Sequence, residues 1–394
     1  MAKTHKVIKF FLWTRTNASS INQPQLGDNK NMKNKTNTNL LIKSLSILTA
    51  LSLTAESTQA GLGDPVGITQ VTVPASTTSV MGTPYARKVE AFGTVTSYVA
   101  SGAKTVFTVV KDNASASLPS FTNTDTNVDA WYIIEIVDGP AIGLILNAVG
   151  GSGNTSIEVE GLIPSSINIE TGSKFAVRKA WTLSSLFGAA SASNVFGSGL
   201  SSTALGINAQ VQVLRSATGT LTTYFIHKTS GGVCNWRAST DTANLNHQPI
   251  GLGKGFVVVN RKSVPFNFDL AGDYRTARTR LLAEGGKRIL LSNPGLFDTT
   301  FNASTIPVTS PTRANTVPSN SNDGYGIWNP ATRSFSTYRI GGVTQTSAGG
   351  ASAFDNAGER ANPVIAKFTS LLVTPAGSGA KVITIAPAFA ADIR

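Results

Sequence analysis

Cysteine is almost missing from this chain: Cys234 is the only one in 394 residues. That excludes an intramolecular disulfide and any zinc site built on several thiolates. Histidine is scarce as well, and only His227 and His247 lie beyond residue 60. Charged residues make up 14% of the chain, well under the roughly 25% of an ordinary soluble domain. The surface must therefore be built from Ser, Thr, Asn and Gly. No apolar run approaches the roughly 20 residues that a helical membrane span needs, and stretches able to form helices longer than two turns are few. The catalytic signatures are missing too. There is no Gly-x-Ser-x-Gly elbow, and the Gly-rich segment Gly251-Leu252-Gly253-Lys254-Gly255 has neither the spacing of a phosphate loop nor a helix after it.

What is present starts with an export signal. Lys33, Lys35 and Lys43 form a basic segment, residues 45–55 an apolar one, and Thr58-Gln59-Ala60 supplies small residues at a cleavage point before Gly61. Residues 1–60 are thus expected to be a leader, with the signal at 32–60, and Met32 reads as the natural start. The remaining 334 residues carry 25 Lys and Arg against 19 Asp and Glu. The excess is uneven, net −3 over 61–180 and net +9 over 181–394.

Strand signals fill the rest. β-branched and aromatic runs at 66–73, 92–98, 105–110, 131–137, 142–149, 156–159 and 174–178 are separated by Gly, Asp, Asn and Pro turns at about the 8–12-residue spacing of sandwiches and barrels. They predict an N-terminal β-domain over 61–180. Trp181, Leu183, Leu186 and Phe187 can share one face of a short helix, and the Ala/Ser/Gly-rich residues after it, to 204, read as a linker. A second β-domain follows over 205–394, with a long Thr/Ser/Pro/Asn loop at 299–322. Residues 205–272 and 323–394 look like two weak repeats, setting 223–226 against 325–328, 255–259 against 370–373, and 264–266 against 381–383. Each copy is expected to be a hairpin, an excursion and another hairpin. The fold class is all-β: two or three antiparallel sandwich- or barrel-like domains with a helical turn near 181–187.

Several segments resemble a family of secreted bacterial β-rich proteins of verrucomicrobial type. They are Asp64-Pro65-Val66-Gly67, Phe92-Gly93-Thr94-Val95, Asp138-Gly139-Pro140, Lys174-Phe175-Ala176-Val177-Arg178 and, above all, Trp181-Thr182-Leu183-Ser184-Ser185-Leu186-Phe187-Gly188. Gly253-Lys254-Gly255-Phe256 fits its later half. The resemblance implies export and a β-rich body. It brings no established activity, so no functional residue carries over.

The candidates for chemistry are few. Tyr224, Trp236, Tyr325, Trp328 and Tyr338 fall on predicted hairpins, where aromatics form either a core or a sugar-stacking platform. Arg275, Arg278, Arg280, Lys287 and Arg288 form the densest basic patch, suited to an anionic glycan or lipid headgroup; export argues against nucleic acid. Asn123, Asp125, Asn127 and Asp129 alternate like the start of a calcium loop, although the sharp-turn Gly and the closing Glu are missing. No other cofactor is expected. Glu135, Glu158 and Glu160 sit on predicted strands and are expected to face outward. Two Ser-x-x-Lys sequences, at 101–104 and 378–381, contain Gly and feed strands, so they read as hairpin turns.

These features predict an exported, non-enzymatic structural protein of the cell surface or extracellular matrix, able to self-associate. A binder of an anionic polysaccharide and an outer-membrane barrel are the alternatives.

Overall fold

The computed structural model describes residues 66–112, 117–121, 126, 128–151, 154–197, 209–215, 219–239, 241–275, 277–300, 323–341, 352–354, 360–361 and 363–385. All lie in the unit Gly61–Arg394. The leader, Asn123, Asp125, Asn127 and most of the 299–322 loop lie outside them. Of the described residues 53% are in strands and 2% in helix, so the protein is all-β.

The chain opens with β1 (Val66–Val73), β2 (Thr78–Met81) and the short β3 (Tyr85–Ala86), none of which pairs with its neighbour in sequence. Then come β4 (Val89–Ser101), β5 (Lys104–Lys111), β6 (Tyr132–Ile136), β7 (Leu144–Gly150), β8 (Ser156–Glu160) and β9 (Lys174–Lys179). These six pair in the order β7-β6-β9-β4-β5-β8, and β8 returns to β7, closing an antiparallel barrel. Closure requires strong bending. Register shifts occur at Val89/Ala91 and Val95/Ser97 in β4 and at Ala148/Gly150 in β7. Phe107, Val109, Ile134, Ile136, Leu146, Ile157, Phe175 and Val177 belong to the apolar cluster that fills it. The Ser101–Lys104 sequence is the β4–β5 hairpin turn.

After the barrel, Trp181 leads into α1 (Leu183–Phe187), a single helical turn with a reciprocal cap: Thr182 Oγ1 accepts from Ser185 N, and Ser185 Oγ accepts from Thr182 N. The four apolar residues predicted to share a face, Trp181, Leu183, Leu186 and Phe187, are all buried. The segment beyond is anchored. Asn194 Nδ2 donates to the carbonyls of Phe187 and Ala189, and Phe196 is fully buried.

The remaining strands form two similar sets. The first has β10 (Gln210–Arg215), β11 (Thr220–Lys228), β12 (Cys234–Ala238), β13 (Phe256–Val259) and β14 (Phe266–Tyr274). The second begins with β15 (Thr279–Glu284), β16 (Ile289–Ser292) and β17 (Thr299–Thr300). It continues with β18 (Gly324–Asn329), β19 (Ser334–Gly341), β20 (Ser352–Phe354), β21 (Arg360–Ala361) and β22 (Val364–Ile365), and ends with β23 (Ser370–Thr374) and β24 (Ala380–Ile385).

The pairings expose an internal duplication. One sheet runs β2-β13-β10-β11-β12 and another runs β16-β23-β18-β19-β20-β21. Beside them, β1 pairs with β14 and β15 with β24, antiparallel in both cases. Registers correspond as well: Met81 faces Phe256 as Leu291 faces Leu371, Val71 faces Phe268 as Leu281 faces Ile383, and Val211 faces Val258 as Tyr325 faces Val373. The barrel is therefore inserted within the first copy, between β3 and β10.

This arrangement differs from the sequence alignment in two ways. β18 corresponds to β10 rather than to β11, and each copy also takes in strands upstream of the aligned segments. The strand pairs β13/β14 and β23/β24 are not hairpins either, because their members join different sheets. For the same reason the 378–381 turn carries the chain from one sheet to another. A hairpin and such a crossing use the same turn residues, so local sequence does not separate them.

The two copies and one flank of the barrel share a second core, which includes Trp181, Phe187, Phe196, Trp236, Phe256, Phe268, Leu291 and Leu371. The barrel joins the second copy where β15 pairs in parallel with the start of β7. Gly143 sits at this seam with φ +84°, and a Cβ there would meet the Arg278 carbonyl oxygen. We expect Gly143→Ala to cost at least about 1–3 kcal/mol in urea unfolding, because the left-handed backbone and the backbone contact both oppose a side chain.

Candidate functional site

The predicted aromatic platform is split between core and half-buried positions. Tyr224, Trp236 and Tyr325 are buried, so their faces are closed to an external sugar. Trp236 lies against Phe187 and Phe196 and donates its Nε1–H to the Gly188 carbonyl at 3.2 Å. Burial, with Asp323 nearby, pushes the Tyr325 phenol up. Trp328 and Tyr338 are half-buried on the second copy, with Trp328 edge-on to Phe335 at 5.2 Å.

The basic patch is dispersed. Arg275 is buried. Arg280 donates to the Pro140 carbonyl, and Lys287 pairs with Glu284 at 2.9 Å. Arg278 and Arg288 remain exposed. Arg288 borders a depression of about 560 Å³ that Tyr325 and Phe335 also line. Of the calcium candidates only Asp129 is described. Arg87 clamps its carboxylate at 2.7 and 2.8 Å, with Lys179 and His247 close by. Burial alone raises the Asp129 pKa, but the Arg87 guanidinium outweighs it and holds the carboxyl below its ordinary range.

Arg275 leads to an ion cluster that the sequence reading misses. Glu135 is expected outward but is buried, because the outer face of β6 is covered by the duplicated sheets. Its Oε1 accepts from Arg275 Nε at 2.8 Å and Nη2 at 2.5 Å, and its Oε2 accepts from Arg178 Nε at 3.1 Å. Arg178 also reaches Asp273 and the Arg87 carbonyl, and Arg275 reaches Thr279 Oγ1. The cluster joins β6 and β9 of the barrel to β14 and to the residues just after it. No local pattern marks it: the partners stand 43 and 140 residues apart.

Two features remain open to a partner. The first is the edge of β1. This strand ends the order β1-β14-β3, so one side of it has no strand beside it among the described residues. It holds no charged residue, and its outer face presents Val66 and Ile68 at 73% and 72% exposure. The equivalent strand of the second copy, β15, has its corresponding side covered by β7.

The second is a pocket of about 140 Å³ between the barrel and the Gly-rich turn at 251–255. Trp131, Tyr132, Asn147 and Glu160 come from the barrel side, Lys254 from the turn. The Trp181 block holds the two sides together: Ala180 N donates to the Trp131 carbonyl, Ile250 N to the Trp181 carbonyl, and Leu183 N to the Gln248 carbonyl. Gly251 and Gly253, with φ +80° and +74°, make the turn, and the Lys254 stem lies against Gly251. Burial pushes the Lys254 ammonium down, while Glu160 pulls it partly back. Asn147 Nδ2 donates to Glu160 Oε2 at 2.7 Å. Trp131 Nε1 is buried and has no hydrogen-bond acceptor among the described residues.

The chain matches no protein-family model, no curated protein and no solved structure.

Proposed function

We propose that this is an exported, non-enzymatic structural protein of the cell surface or extracellular matrix, and that it self-associates through β1. The observation that carries the reading is the uncovered side of β1 beside its covered counterpart, β15. Exposed edges are normally blunted by Lys, Pro, bulges or a covering element. β1 has eight residues, VGITQVTV, with no charge and no proline among them. Its free amides and carbonyls are a template for strand addition. A second copy is the natural occupant, since any antiparallel pairing of β1 with itself opposes only uncharged side chains.

Sedimentation of the full chain tests the proposal. The expected result is a reversible dimer that Val66→Lys/Ile68→Lys converts to monomer, with folding stability within about 0.5 kcal/mol of the parent because both positions are exposed. A parent that stays monomeric at every concentration, or a variant that associates equally well, overturns it.

An outer-membrane barrel is disfavoured by the barrel's build. Its interior is apolar and β6 and β8 have five residues each, whereas membrane barrels have polar interiors and strands of about 9–11 residues. Among the described residues no helix is long and apolar enough to cross a membrane.

A further inference from the structure

The hairpin of β11 and β12 turns one face to the core and the other outward. Tyr224, Ile226, Trp236 and Ala238 are buried, so Phe225, His227, Asn235 and Arg237, which alternate with them, share the outward face. All four are half-buried, and Phe225 belongs to none of the apolar cores. Arg237 stands directly opposite Phe225, and Asn235 opposite His227. Arg237 and His227 are therefore diagonal neighbours, about 7–8 Å apart along such a pair of strands. The rings of Phe225 and His227 meet edge to face with centroids at 6.4 Å. Arg237 Nε and His227 Nδ1 are enclosed without a partner, and no described carboxylate pairs with Arg237. The five strands of this sheet, β2, β10, β11, β12 and β13, carry Arg215, Lys228 and Arg237 but not one Asp or Glu. A partly desolvated guanidinium on a face without acids favours an anion from outside the chain. The duplication repeats the pairing. Val211 faces Tyr224 as Tyr325 faces Tyr338, so position 339 corresponds to 225, and Arg339 stands opposite Phe354. An arginine opposite a phenylalanine thus occurs at the same place in both copies, with the two strands exchanged.

We infer that the outward face of this hairpin binds an acidic polysaccharide. Arg237 takes a carboxylate or sulfate group with the outer end of its guanidinium. Nδ1 of His227 has no acceptor, which favours the tautomer with its proton on Nε2, and that N–H is the second donor. Phe225 packs on the apolar face of a sugar ring, and Asn235 takes hydroxyls. An open strand face accepts an extended chain. The sugar platform expected on this hairpin at Tyr224 and Trp236 is thus one residue out of phase, and Phe225 is the ring that stays available. The hairpin and β1 lie in different sheets, so the inference stands whether or not the protein self-associates.

Calorimetric titration of the full chain at low ionic strength, with polygalacturonate, dextran sulfate, dextran and polyglutamate in turn, tests the inference. At least one acidic polysaccharide is expected to bind about tenfold or more tightly than dextran, which lacks the anion, and than polyglutamate, which lacks the sugar. Which of the two acidic chains binds tells carboxylate from sulfate. Arg237→Gln should weaken that binding about tenfold or more, and Phe225→Thr several-fold. Arg278→Gln removes an equal charge at another exposed position and should leave binding unchanged. Dextran binding as tightly overturns the role of the anion, and polyglutamate binding as tightly overturns the sugar assignment. An Arg237→Gln variant with unchanged affinity, or one weakened no more than Arg278→Gln, overturns the site. No binding by any of the four overturns the inference outright. If a variant fails to fold, the ligand series on the parent still decides. The Val66→Lys/Ile68→Lys variant should bind like the parent, which separates this outcome from that of self-association.

Discussion

Glu135→Ala is expected to destabilise the protein by about 3–5 kcal/mol, because it leaves the guanidinium groups of Arg178 and Arg275 buried without their shared counter-ion. Removing the one carboxylate between two buried guanidinium groups is far more damaging than removing all three together, and Asp273, which would lose Arg178, is less deeply buried than they are. A triple replacement of Glu135, Arg178 and Arg275 by Leu, Met and Met should therefore recover much of the loss in urea unfolding. Recovery no better than the single variant would show that these charges contribute more than mutual neutralisation. The same carboxylate gives a pH signature. Burial by itself raises the pKa of Glu135, but Arg275 and Arg178 outweigh it and hold it below the ordinary value of 4.5. A depressed folded pKa means stability that is fully present above about pH 4.5 and lost as the pH falls through the lower, folded value. The parent should thus lose stability on acidification below pH 4.5 more steeply than Glu135→Gln, which has no charge to lose.

Trp236→Ala should cost a similar amount, about 3–5 kcal/mol. Trp236 is 0% exposed and fills the space between β12 and the aromatic group of Phe187 and Phe196. Its removal leaves a cavity in the core shared by both copies and deprives the Gly188 carbonyl of its donor. Trp236→Phe keeps ring contact but not that hydrogen bond, and should fall between the parent and the alanine variant. Thermal and urea unfolding measure the series. A Trp236→Ala loss below about 1 kcal/mol would mean that the side chain is not in a packed core at all, and would reopen its role as a ligand surface.

Both experiments probe the region where sequence reading and structure part. The strand at 66–73 is legible to the residue, because its bounding turn residues and β-branched content are local. The helical turn at Leu183–Phe187 is legible for the same reason: the spacing of four apolar residues lies within one short segment, whereas its Thr182–Ser185 cap emerges only in the structure. β15 is not legible. Its sequence, TRLLAE, favours helix, and it becomes a strand only because β24 and β7 pair with it. Glu135 looks like an outward residue of an alternating strand until the covering sheets bury it.

The candidate sites divide in the same way. The edge of β1 could be described from sequence as an uncharged strand, but its openness depends on β1 falling at the end of a sheet. The Lys254 turn could be seen as Gly-rich and dismissed as a phosphate loop. Only folding brings it against Trp131 and Glu160.

By itself, the sequence determined the all-β class, most strand positions and the helical turn after Trp181, because propensity, turn chemistry and apolar spacing act over a few residues. Tertiary structure alone decided the barrel's closure, its insertion within a duplicated unit, the burial of Glu135 between two arginines and the assembly of the Lys254 pocket. Those outcomes depend on hydrogen bonds and desolvation between residues far apart in the chain, and local sequence carries no record of such pairings.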